Sequence, residues 1–295
     1  MTPGRAAIVA TAGESIARGS RSFALASRLF DRETRERVWL LYAWCRACDD
    51  LTDGQEAGHG GHAPADAETG LARIRLLTQA ALEGQWIGDP PFDALRIVAQ
   101  ETRMPHGDIW DLVEGFALDA QGWRPQTEAD LLRYCHHVAG VVGRMMAVVM
   151  GVDPRDEATM GAARDLGLSF QLANIARDLV DDGRAGRCYL PAEWLIEFGL
   201  PAHGYWQPGY RPRLAQAAQR LGTLAAALEA SARAGAVRLP FRSRWAVLAA
   251  AGIYGDIPRL VLARGERAWD MRASTSAAAK LLWIARAAGQ ALDTD

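Results

Sequence analysis

The chain has 295 residues, 49% of them hydrophobic, enough for a large core in one or two domains. With 33 basic and 35 acidic residues its formal net charge is −2, and no basic block stands out that would recommend a nucleic-acid partner. The abundance of alanine and the rarity of β-branched runs point to helix rather than sheet.

Helical periodicity continues along the chain, and no convincing period-2 strand interrupts it. Residues 6–12, with Arg5 before them, have the length of a minimal secretory apolar region, but Glu14 follows at once and they read as the opening of a helix. Asp31 can cap a helix running to about Asp53. Residues 54–64, rich in Gly, Ala and His, read as a mobile loop with His59 and His62 solvated. Helices are expected at 67–84, 92–103 and 106–121. Thr127 opens a further segment through Met150, and Pro154 precedes one reaching Asp182. A basic, glycine-containing loop at 183–191 and an irregular stretch at 201–212 separate these from helices at 213–234, 240–263 and 274–292. No repeat of 20–50 residues is evident, so one compact all-α domain over residues 1–295 is the simplest architecture.

No stretch reaches the roughly 18 uninterrupted apolar residues of a spanning helix; the longest candidate, 138–152, carries Arg144. A cytoplasmic protein is expected. Its four cysteines, Cys45, Cys48, Cys135 and Cys188, then need form no disulfide. Cys45 and Cys48 form a C-x-x-C, a redox or zinc spacing on its face. Yet Val38, Leu41, Cys45 and Cys48 fall at i, i+3, i+7 and i+10, the apolar stripe of one helix, and no second pair completes four ligands. His136 and His137 adjoin Cys135, but adjacent helical residues point apart. The thiols read as packing.

Two segments carry chemistry. At 100° per residue, Tyr42, Arg46, Asp49 and Asp53 share an arc of about 60°, with Asp50 at its edge. Gln171, Asn174, Asp178 and Asp182 share an arc of about 80°, flanked by Asp181, while Leu172, Ile175 and Leu179 face away. Exposed Asp pairs at i,i+4 repel by a few tenths of a kcal/mol. In a partly dehydrated cleft, at ~6 Å and an effective dielectric near 20, the cost rises to roughly 3 kcal/mol per pair. A hard divalent cation removes that cost, and Mg²⁺ typically joins one or two carboxylates to phosphate oxygens. Two such acid pairs therefore suggest a diphosphate held through metal, although either pair alone would pass for a solvated face and Arg46 for a simple i,i+3 partner of Asp49.

The motifs YAWCRACDDLTD and QLANIARDLVDDGRAGRCYLP resemble the two Asp-rich signatures of the squalene/phytoene synthase family. The likeness extends to GSRSFALASRLF, DLVEGFALD, YCHHVAGVVG and AWDMRASTSAAAKL, in the family's order and over most of the chain. The resemblance implies an isoprenoid-synthase fold, a helical bundle around a central apolar cavity with both Asp-rich helices facing each other at its mouth. It assigns Asp49, Asp53, Asp178 and Asp182, with Asn174, to Mg²⁺ or Mn²⁺. It assigns Tyr42, Arg46, Ser20, Ser22, Gln171, Arg177, Tyr254, Arg272 and Lys280 to the surroundings of the diphosphates, with Phe23 beside the substrate. Arg187 and Tyr189 would help close the mouth.

The implied reaction joins two geranylgeranyl diphosphates head to head, through prephytoene diphosphate, to phytoene, the first committed step of carotenoid biosynthesis. Proton acceptance is open between the freed diphosphate, Tyr42 and another polar group. Ser27, four residues after Phe23, would leave depth for C20 chains if that face lines the cavity, but it equally suits a surface position. The small residues of 138–143 suit either a helix beside a substrate chain or close helix packing. No glycine-rich strand–helix unit suggests NADPH, and no C-terminal anchor of the kind found in many squalene synthases is expected. The greasy substrates and product imply peripheral membrane contact. A sister enzyme using farnesyl diphosphate, of presqualene-diphosphate or dehydrosqualene type, is the alternative; a non-catalytic assembly-factor relative is disfavoured by the four intact aspartates.

Overall fold

The computed structural model describes residues 4–53 and 65–292; the side chains at 21, 22, 53, 65 and 66 lie outside that description. The loop expected at 54–64, with His59 and His62, also lies outside it, as do the side chains of Ser22 and Asp53. Among the described residues every regular element is helical and none is a strand. In chain order the α-helices are α1 (Arg5–Gly19), α2 (Arg21–Ser27), α3 (Arg32–Asp53), α4 (Ala65–Leu82), α5 (Pro90–Thr102), α6 (His106–Ala120) and α7 (Glu128–Cys135). They continue with α8 (Val141–Val149), α9 (Glu157–Arg184), α10 (Ala192–Glu197), α11 (Arg211–Gly235), α12 (Phe241–Arg264) and α13 (Ala277–Leu292).

The long helices match the sequence expectation to within a few residues. Some features differ: α2 and α10 are short helices that the periodicity did not separate, and a π turn at His136–Gly140 interrupts the segment opened by Thr127. The basic loop is also shorter than expected, because α9 runs on to Arg184, and Pro208–Tyr210 forms a 3-10 turn inside the irregular stretch.

The chain forms two compact units. The first comprises Met1–Gln121 and Arg144–Asp156. Its centre is α3, which starts where Asp31 accepts hydrogen bonds from Thr34 N (2.9 Å) and Thr34 Oγ1 (2.8 Å). Val38, Leu41, Trp44 and Cys48 are fully buried along α3, against α1, α4, α5 and α6. Each fully buried apolar side chain of that size contributes roughly 1.5–3 kcal/mol. Arg5 of α1 pairs with Glu36 of α3 and Glu101 of α5, and Arg37 reaches Glu101 at 3.0 Å, so three helices share one ionic cluster. The C-x-x-C thiols are packing groups: burial pushes the Cys45 thiol up to about 12 and Cys48 well above its usual value, so neither is a ready thiolate.

The second unit comprises Gly122–Gly143 and Glu157–Asp295. A capping box starts α7: Thr127 Oγ1 accepts from Asp130 N at 3.2 Å, and Asp130 Oδ2 accepts from Thr127 N at 3.0 Å. The 28-residue α9 lies against α11, α12 and the π turn. A Cβ on Gly167 would stand 2.1 Å from the Ala139 carbonyl oxygen, and one on Gly143 2.1 Å from that of Ala163. The small residues of 138–143 thus serve backbone-to-backbone packing. The stretch Phe241–Arg267 is long and apolar enough to cross a membrane by length and composition, although charged residues interrupt its apolar run. Within its most apolar window 56% is buried, and Ile253, Ile257 and Val261 point into the unit, as in a core helix.

Candidate active site

In the first unit, the α3 helix turns one face to the core and leaves Tyr42, Arg46, Asp49 and Asp50 half-buried on the other. Arg46 bonds Asp49 at 2.9 Å and Asp50 through Nε at 3.0 Å. Burial works against the Arg46 charge, but the hydrogen bond to Asp50 and the charges of Asp49 and Asp50 hold its pKa above the usual value. The i,i+3 pair with Asp49 is therefore real, and Asp50, at the edge of the expected arc, is a second partner. The helix ends at Asp53.

Tyr42 fits under the end of α1: a Cβ on Gly19 would come within 2.3 Å of the Tyr42 hydroxyl. Its ring stacks with Phe23 at 6.1 Å. Ser20 caps α2, its Oγ accepting from Phe23 N at 3.3 Å. Phe23 and Tyr42 are thus brought together, with Ser20 fixing the turn that does so. Ser27 is a core position rather than a surface one. It is 1% exposed, and its Oγ donates to the Ala24 carbonyl (2.8 Å) and accepts from Trp39 Nε1 (3.1 Å).

In the second unit, α9 presents Gln171, Asn174, Arg177, Asp178 and Asp182 half-buried, while Leu172, Ile175 and Leu179 are buried on its other side. Asp178 is held by Arg177 (Nε–Oδ1 2.8 Å) and by Arg272 (3.2 Å). Asp182 has Arg187 at 3.6 Å. Burial pushes the Asp182 carboxyl up to about 6; Arg187 pulls it back, and the charges of Asp178 and Asp181 push it further. A dehydrated carboxylate beside two more acids gains from a cation.

The C-terminal segment is strapped onto this face. Trp269 Nε1 donates to the Ala176 carbonyl at 3.1 Å, and Thr275 Oγ1 to that of Ile253 at 2.6 Å, which leaves Arg272 over Asp178. Tyr254 stacks on Phe170 at 4.2 Å; burial raises its pKa and the Arg177 charge lowers it, so phenol and guanidinium are neighbours. Lys280 lies half-buried on α13. Arg187 follows the acid end of α9, its N donating to the Asp182 carbonyl at 2.8 Å. Behind it Trp123, Tyr134 and Tyr189 form an aromatic stack, with centroids 5.7 and 5.0 Å apart.

Each face combines carboxylates with guanidiniums, the pairing suited to a metal–phosphate ligand: acids for the cation, arginines for the anion. Among the described residues no three His, Cys, Asp or Glu side chains gather as a metal cluster. Mg²⁺ does not require one, because it keeps several waters and takes phosphate oxygens alongside one or two carboxylates. The i,i+4 acids of α9 fit that need.

The family model for squalene/phytoene synthase matches residues 16–279. The chain belongs to the squalene/phytoene synthase family. Among its relatives, the 15-cis-phytoene synthase of Pantoea ananas is 47% identical over 95% of this chain and 90% of that protein. That of Paracoccus sp. is 45% identical over 93% and 88%. Among solved structures, a dehydrosqualene synthase with bound ligand superposes with a TM-score of 0.86 at 26% identity, covering 97% of this chain and 96% of that one. The expected all-α isoprenoid-synthase fold is therefore the fold of this squalene/phytoene synthase family member. Phe170, Trp269 and Tyr205 escaped the sequence reading; only the family likeness around AWDMRASTS gave any signal, for the strap that carries Trp269.

Proposed function

We propose that this chain condenses two molecules of geranylgeranyl diphosphate, through prephytoene diphosphate, to phytoene, opening carotenoid biosynthesis. The observation that carries the proposal is its 45–47% identity, over at least 93% of its length, to four bacterial phytoene synthases. Asp49, Asp53, Asp178 and Asp182, with Asn174, would hold Mg²⁺, for which Mn²⁺ is a chemically similar substitute. Bound Mg²⁺ would supply electrostatic stabilisation of the departing diphosphate. Arg46 of the first unit, and Arg177, Arg187, Arg272 and Lys280 of the second, would supply positive charge to diphosphate groups. Ser20, Ser22, Gln171 and Tyr254 offer polar contacts, and Phe23 packs beside the isoprenoid chain. Tyr42, stacked on Phe23, orients that chain and is a candidate proton acceptor. No dinucleotide is used. The tails of substrate and product favour peripheral membrane contact, by an enzyme placed in the cytoplasm.

Purified protein with Mg²⁺ is given geranylgeranyl or farnesyl diphosphate separately, and the hydrocarbons are identified by mass. A C40 product from the C20 substrate is expected. A C30 product alone would transfer the assignment to the farnesyl-using sister enzymes, and no product from either would favour a non-catalytic relative.

A further inference from the structure

We propose that Tyr205 is a positioning residue that fixes the Arg187 loop, and with it the Arg187 guanidinium, at the acid end of α9. The inference rests on Arg187 serving the diphosphate, as set out above. Tyr205 follows the short α10 and is 1% exposed, an unusual depth for a phenol in an irregular segment. Its hydroxyl stands 3.2 Å from the Leu179 carbonyl oxygen and 3.1 Å from that of Arg187, so one proton is shared between the acid helix and the loop.

The contact is built from both sides. Trp206 meets Tyr205 edge-on at 5.3 Å. The pair lies so close beneath Gly183 that a Cβ there would come 2.6 Å from the Trp206 ring and 3.1 Å from Tyr205 Cζ. Gly183 is the residue after Asp182, and only its missing side chain lets the two rings reach the helix end. The exposed loop above, Ala185 to Arg187, turns at Gly186 with φ +80°. Its anchors include the Ala185 N–H on the Asp181 carbonyl at 3.0 Å, the Gly186 N–H on that of Gly183 at 3.1 Å, Arg124 on the Gly186 carbonyl at 3.1 Å, the Arg187 N–H on the Asp182 carbonyl at 2.8 Å, and the Arg187 carbonyl on Tyr205. The guanidinium then lies 3.6 Å from Asp182. Removing the phenol hydroxyl takes away its bond to the Arg187 carbonyl while leaving ring packing in place. The phenol touches no reacting atom, so its effect on the reaction passes through Arg187.

The test pairs Tyr205→Phe with Arg187→Gln. Limited trypsin digestion reports loop order without turnover: Y205F is expected to be cut after Arg184 and Arg187 several-fold faster than the parent, with other sites unchanged. Equal rates at those two sites, or acceleration everywhere, would overturn the proposal. In steady-state assays Y205F is expected to raise KM for geranylgeranyl diphosphate by about three- to tenfold, the scale of one hydrogen bond, with kcat nearly constant. In the R187Q background the same change adds nothing further; additive effects would show that Tyr205 acts elsewhere. If R187Q alone leaves KM unaltered, the diphosphate role of Arg187 fails, while the loop-fixing role is still decided by the digestion.

Discussion

Arg272 reaches the Asp178 carboxylate at 3.2 Å from 94 positions further along the chain. Its side chain is 64% exposed, and an ion pair that open to water contributes under ~1 kcal/mol. Stability is a poor reason for such a contact; charge at a diphosphate site is a better one. Arg272→Gln is expected to move the melting temperature by less than about 4 °C and to raise KM for geranylgeranyl diphosphate about tenfold. An unchanged KM would remove Arg272 from the site.

Asp178→Asn and Asp182→Asn keep the side-chain shapes and remove one charge each. Turnover is expected to fall by about 10²-fold or more for each, with circular dichroism unchanged. Chelation with EDTA is expected to abolish activity in the parent, and added Mg²⁺ or Mn²⁺ to restore it. A second readout is melting with inorganic diphosphate: Mg²⁺ should raise the parent's melting temperature and leave the Asp178→Asn variant where it was.

The α3 cap is titratable. Backbone and hydroxyl hydrogen bonds from Thr34 hold the Asp31 pKa below the usual carboxylate value. A lowered folded-state pKa gives stability that is present at neutral pH and disappears as pH falls from about 4 through the folded value. Asp31→Ala is expected to cost about 1 kcal/mol in urea unfolding at pH 7. The difference between parent and variant should shrink in acid; a difference independent of pH would rule out the carboxylate as the cap.

Gly167→Ala and Gly161→Ala separate close approach from helix propensity within α9. A methyl at Gly167 would collide with the Ala139 carbonyl, backbone that cannot swing aside, whereas nothing lies within 4 Å of a Cβ at Gly161. The first is expected to destabilise by roughly 1–3 kcal/mol and the second to stabilise by roughly 0.5–1 kcal/mol. Denaturant midpoints with an unchanged slope would report both.

The local half of this architecture was readable from spacing. Asp31 as a cap, Thr127 as a start, and the polar arcs of α3 and α9 all follow from side chains within four residues of one another, where helix geometry leaves little freedom. The Arg46–Asp49 pair followed as well. What escaped depends on partners far along the chain: Trp269 on Ala176, Tyr205 on Arg187, Trp39 on Ser27. Ser27 looked as much like a surface residue as a cavity residue because a serine carries no sign of the indole that will claim it. The small residues at 138–143 were equally silent, since glycine suits a helix neighbour and a ligand alike until the partner backbone is seen.

The π turn at His136–Gly140 gears the segment on either side of it. Such a turn holds one residue more than the α turn it replaces, so the two flanks differ in phase by about 100°. Deleting a single amino acid there would yield an unbroken rod and swing residues 141–143 round by more than a quarter of a circle. Gly143, on which a Cβ would stand 2.1 Å from the Ala163 carbonyl oxygen, would be carried off that close approach to α9. One surplus residue therefore sets the timing of everything between Tyr134 and Gly143.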